Sequence, residues 1–81
     1  MIEYVKEGDE FKENPAGNIR KHYGLTYKQV ANHLGLSTTR IQQICHQENW
    51  AVRGPLSRPH ARQQNKIITA MLELVKLKEN E

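Results

Sequence analysis

The side chains in this chain best suited to recognition chemistry are uncharged hydrogen-bonding groups at helical spacing. Thr38, Thr39, Gln42, Gln43 and His46 recur at three- and four-residue intervals, which would set them along one side of a helix. A glutamine carboxamide can pair bidentately with an adenine edge, and a threonine hydroxyl can serve a base or a phosphate. Gln42 has the stronger claim of the two glutamines, because it lies one turn from Thr38 and Thr39. Ser37, at the start of that helix, sits where free backbone N–H groups and the helix dipole favour an anion. Arg40 is turned off the Thr/Gln face and suits a phosphate or an internal ion pair. Thr26, Tyr27 and Lys28 at the start of the preceding helix suit a phosphate, as do Arg53, Arg58 and Arg62 beyond the motif.

Catalytic and metal chemistry find little support. His22, His33, His46 and His60 are scattered, without a cysteine pair or paired carboxylates beside them, so no metal site is expected. Cys45 is the only cysteine; it excludes an intramolecular disulfide and fits a reducing compartment. It reads as a small core residue, and it cannot form a dyad with His46, because adjacent helical residues do not face one another. With no glycine-rich phosphate loop either, neither an enzyme nor a cofactor is expected.

The charge distribution favours a polyanion. The 81 residues carry a formal net charge of +3, but the excess is concentrated. Residues 1–13 are acidic, with Glu3, Glu7, Asp9, Glu10 and Glu13 against Lys6 and Lys12. Between residues 14 and 66 only Glu48 opposes eight Lys and Arg. A basic middle between acidic ends points to nucleic acid. At this length one domain with a thin core is expected, and a deep water-excluding site is not. No stretch is apolar enough to span a membrane, and the acidic start lacks a secretory pattern, so a cytoplasmic location is expected.

Local signals divide the chain into helices. Asn14-Pro15 is a capping side chain followed by proline at the first helical position; Ile19 and Tyr23 share a face, and Gly24 stops the segment. Thr26-Tyr27-Lys28-Gln29 is a capping box, opening a helix with Val30, Ala31 and Leu34 that ends at Gly35. Ser37 caps a third helix with Ile41, Ile44 and Cys45 on its apolar side, extending toward Val52 and ended by Gly54-Pro55. Ser57-Arg58-Pro59 restarts a long C-terminal helix. Residues 1–13 form an arm or short hairpin, with Ile2, Tyr4 and Phe11 around a turn at Glu7-Gly8-Asp9. The fold class is therefore all-α, a three-helix core at 14–56 followed by a helix at 57–81.

Val30, Ala31, Leu34, Leu36, Ile41 and Ile44 fall where two short helices crossing through a tight turn need their core. Ala31 is small at the crossing, Gly35 takes the left-handed turn position, and Leu36 plugs the turn. With these residues the chain resembles bacterial helix-turn-helix DNA-binding proteins. More narrowly, Thr26 to Ile44 is similar to the promoter-recognising fourth region of primary sigma factors, in its threonine cap, its Val30/Ala31/Leu34 core and the string Arg40-Ile41-Gln42-Gln43-Ile44. The likeness covers about 20 of 81 residues. That family carries charged residues where Thr38, Thr39 and Gln42 stand, so its base preference does not transfer. Its basic, leucine-containing continuation is replaced by Cys45-His46-Gln47-Glu48-Asn49-Trp50, with Trp50 expected to pack near the helix end. No further sigma region fits in this length. The resemblance implies a small regulator of the kind found in phages and mobile elements.

The C-terminal helix has more apolar surface than one face can hold. Ile68, Leu72 and Val75 make one stripe, expected to face the core. Ile67, Ala70, Leu74 and Leu77, with Met71 beside them, make an adjacent one, expected to form a homodimer. The alternative is that Ile2, Tyr4 and Phe11 of the arm cover it. The functional expectation is a sequence-specific double-stranded DNA-binding transcriptional regulator; the residues do not decide between repressor and activator, and the phage-like resemblance implies repression. Two other readings are an RNA polymerase-binding modulator using the sigma-like surface and a DNA-packaging or replication adaptor.

Overall fold

Two buried carboxamides at the N-terminus of the first helix show how the chain is assembled. A computed structural model describes residues 4–46 and 55–79, and places four helices among them: α1 (Pro15–Tyr23), α2 (Tyr27–Leu34), α3 (Thr38–Cys45) and α4 (Arg58–Glu79). Asn14 caps α1 by accepting from Gly17 N at 3.2 Å. Its own amide donates to the Ile44 carbonyl in the last turn of α3. Gln64, on α4, accepts from Ala16 N at 2.9 Å. The orphan donors of one helix end are thus satisfied partly from another helix, which fixes α1 against both.

The helix boundaries follow the local signals. Thr26 and Gln29 complete a reciprocal capping box, and Ser37 accepts from Arg40 N. α1 and α2 end alike: Gly24 and Gly35 adopt φ of 66° and 70°, and the next residues, Leu25 and Leu36, donate to Arg20 and Ala31 carbonyls at 3.0 Å. This is the Schellman arrangement, in which a left-handed glycine turns the chain back over the last carbonyls. α3 is shorter than the sequence implies. It ends at Cys45, with His46 an extended C-cap, so His46 lies beyond the helix and is half-buried. Val52, Trp50 and Gly54 lie outside the described residues.

α1 and α2 each pack against both α3 and α4. The core comprises Val5, Ala16, Leu25, Val30, Ala31, Ile41, Cys45, Leu56, Ala61, Ile67, Ile68 and Met71. This corrects the expected dimer stripe. Ile67, Ala70 and Met71 are 1%, 3% and 0% exposed within a single chain. Because α4 lies against two helices, two adjacent apolar stripes are needed to serve them, not one. Leu74 is half-buried against the core, and only Leu77, 56% exposed, stands well out from the surface.

Three other expectations change with the packing. Of the Ile19/Tyr23 face, Ile19 is half-buried and Tyr23 exposed, and Leu36 is 38% exposed rather than plugging the turn. The described part of the arm, residues 4–13, contains no strand. It is a packed loop: Asn65 accepts from Tyr4 N and Val5 N at 2.8 and 2.9 Å and donates to the Val5 carbonyl. Gly8 N and Leu56 N then bond to the Leu56 and Asp9 carbonyls. Val5, not Tyr4, is the buried residue of the arm; Ile2 lies outside the described residues.

Asn65→Ala leaves two backbone donors of the arm without their acceptor, so a loss of about 2–3 kcal/mol is expected in urea unfolding, together with faster tryptic cleavage at Lys6 and Lys12. An unchanged unfolding midpoint would show that the arm does not depend on this anchor.

Candidate nucleic-acid interface

α3 is a two-turn helix whose buried side is narrow. Ile41 and Cys45 are 0% and 1% exposed, and successive residues advance by about 100°. Counted that way, Gln43, Thr39 and Arg40 lie opposite the Ile41/Cys45 side with Gln42 beside them, while Thr38 falls near the Cys45 direction and is open as the first residue of the helix; all five are exposed. Ile44 lies between Arg40 and the buried side and is half-buried. Of the expected base-reading residues, the structure brings Thr38, Thr39, Gln42 and Gln43 together and sets His46 apart, after the helix end.

The expected phosphate-binding residues divide into groups. Thr26, Lys28 and Ser37 are exposed around the starts of α2 and α3. The Thr26 and Ser37 oxygens already accept a backbone N–H each, which leaves their hydroxyl hydrogens to donate. Tyr27 is half-buried and engaged inside the molecule, with the Arg20 guanidinium 4.3 Å over its ring. Arg20 also donates to the Leu25 carbonyl at 2.9 Å, so this charge serves packing and does not belong to the free basic surface. Arg53 lies outside the described residues.

α4 supplies the third group. Arg58 and Arg62 are exposed and four residues apart, and Lys66 continues the row. Lys66 was not among the residues singled out from the sequence, although its four-residue interval from Arg62 was the available signal. At 1.5 Å rise per residue the three are spaced about 6 Å apart along one face. Among the described residues the one contact between a carboxylate and a basic side chain is the His33–Glu73 hydrogen bond, at 2.8 Å between α2 and α4. Lys28, Arg40, Arg58, Arg62 and Lys66 therefore have no acidic partner there.

Arg40, Arg62 and Lys66 meet at a groove of about 300 Å³ between α3 and α4, with Leu36, Ile44, Gln63 and Ile67 as its other walls. The groove exists because α3 and α4 are both held by α1 and α2. A second depression, of about 360 Å³, lies between the arm and the start of α4 and is lined by Lys6, Glu7, Arg58 and Arg62 among others. No group of three potential metal ligands occurs among the described residues, and no helix there is long and apolar enough to cross a membrane.

Cys45 belongs to the core. Burial pushes its thiol up to about 11 from 9.0, against a smaller opposing effect of the Arg20 charge. A thiol raised in this way is a poor nucleophile at neutral pH. Compared with known protein families, curated proteins and solved structures, the chain matches none.

The raised thiol makes a signed prediction. Its folded-state value lies above its unfolded one, so its stabilising contribution is complete below about pH 9 and is lost as pH rises toward about 11. Stability of the wild type relative to Cys45→Ala should fall across that window, and iodoacetamide should label the folded protein at pH 8 far more slowly than the urea-unfolded chain. Equal labelling rates would place the thiol outside the core.

Proposed function

We propose that this chain is a sequence-specific double-stranded DNA-binding regulator of transcription that acts by occupying promoter DNA, with repression as the mode implied by its resemblance to small regulators of phages and mobile elements. One observation carries the reading: α3 presents Thr38, Thr39, Gln42 and Gln43 on an exposed arc, flanked by cations that have no acidic partner among the described residues. Side chains of this length and polarity suit base edges in a major groove, which is wide enough to admit a helix. The flanking cations suit the phosphates on either side of that groove. In this reading Gln42 and Gln43 take bases, with Thr38 and Thr39 beside them. Lys28, Ser37 and Thr26 hold one stretch of backbone, and Arg40, Arg58 and Arg62 hold another, with Lys66 continuing the row.

The α2–turn–α3 pair supports the same reading, since the first helix of such a pair braces the second against the duplex. Dimer formation through Ile67, Ala70 and Met71 has no place in it, because those side chains are buried within one chain. Specificity then rests on one reader helix per chain, and modest affinity for an isolated half-site is expected.

Base contacts and phosphate contacts predict different signatures. Thr39→Ala and Gln42→Ala should each reduce discrimination between a selected site and random duplex by roughly 1–3 kcal/mol for a lost base contact. Arg58→Ala should weaken all duplexes alike and lower the slope of log K against log salt by about one. Fluorescence anisotropy across a salt series reads both quantities. Thr39→Ala and Gln42→Ala variants that bind the selected and the random duplex as the wild type does would remove α3 from base reading.

A further inference from the structure

The groove between α3 and α4 combines two properties that a DNA backbone alone does not use. Its rim is basic and without an acid: Arg40 comes from α3, and Arg62 and Lys66 from α4. None of the three has an ion-pair partner among the described residues. Its walls are also apolar, formed by Leu36, Ile44 and Ile67.

Leu36 is the informative residue. It follows α2 through the same left-handed glycine turn by which Leu25 follows α1. Yet Leu25 is 1% exposed and Leu36 is 38% exposed. The turn geometry is equivalent, so the difference comes from what lies beyond each turn. Leu25 meets the core, and Leu36 meets the open groove. An exposed leucine that shares a groove with three cations, none with an acidic partner among the described residues, gains most from a ligand that offers an apolar side chain and carboxylates together. A phosphate strand would satisfy the cations and leave the leucine in contact with a highly polar group.

We infer that the α3–α4 groove is a docking site for an acidic peptide segment of a partner protein, with a large apolar side chain seated on Leu36 and Ile44 and carboxylates on Arg40, Arg62 and Lys66. The fit rests on charge complementarity and on the apolar walls. Where the DNA reading holds, Arg40, Arg62 and Lys66 are shared between duplex and peptide. Occupation of the groove then opposes DNA binding, and the partner acts as a regulator of this same site.

The test titrates labelled synthetic peptides, each with Phe or Leu inside a run of Asp and Glu, into the full chain without DNA. Leu36→Ser and Lys66→Glu are measured in parallel, with far-UV circular dichroism and thermal midpoints as folding controls. Saturable binding is expected in the wild type and should weaken at least about tenfold in each variant, equivalent to 1.4 kcal/mol. Scrambled peptides with Lys in place of Asp and Glu should not bind. Absence of saturable binding across the set, or binding that survives both folded variants, overturns the proposal. So does a folded Leu36→Ser variant that loses duplex affinity and keeps peptide affinity, which would assign the groove to nucleic acid. Duplex competition is a separate arm. Failure of the wild type to bind any duplex counts against the DNA reading, while the direct titration still decides the groove.

Discussion

The bond on which the rest of the molecule depends is made by a side chain with no charge. Asn14 is 0% exposed and faces two ways, capping α1 through Gly17 N and donating to the Ile44 carbonyl of α3. An eight-residue helix is too short to hold its own conformation in water, so α3 takes its place from contacts outside itself. Ile41 and Cys45 supply the apolar part of that attachment. Asn14 supplies the directional part, because a buried amide is tolerated only where its partners are in position. The orientation of the outward arc of α3 is therefore a consequence of how α1 begins.

The same economy governs α4. Its Gln64 reaches the N-terminus of α1, and its Asn65 holds the arm, so two adjacent side chains serve two distant segments. With a core this thin, fixing the arm adds Val5 and Leu56 to the apolar cluster and uses residues that a three-helix bundle would leave outside. The charged side chains contribute little to this. His33–Glu73 is a surface pair, with side chains 27% and 59% exposed, of a kind worth about 0–1 kcal/mol. Leaving the basic residues of α3 and α4 without an acidic partner among the described residues therefore costs the fold almost nothing.

What was legible in the sequence was what neighbouring residues decide. The caps at Asn14, Thr26 and Ser37 and the stops at Gly24 and Gly35 depend on hydrogen bonds three to five residues long, and α1, α2 and α3 begin where those signals stand. What depends on distant chain was not legible. Asn65 meets Val5 across 60 residues, so the arm read as a hairpin or a loose end. Leu25 and Leu36 have the same local context and opposite exposure. The two stripes of α4 were divided between core and partner, because periodicity shows how many apolar faces a helix has and not how many neighbours it meets. Of the candidate site, the Thr/Gln arc of α3 could be read from spacing. The end of that helix at Cys45, the inward engagement of Arg20 and Tyr27, and the place of Lys66 beside Arg40 depend on tertiary contacts.

The central claim is that α3 reads base sequence. The most direct measurement is selection of bound duplexes from a random pool by the full chain, at about 150 mM salt, near physiological ionic strength, with excess nonspecific competitor. The account predicts enrichment of one short element, about as long as one helix can read, with adenines among its fixed positions. Uniform recovery, with binding that disappears steeply as salt rises, would mean that the contacts are to phosphate alone, and would contradict it.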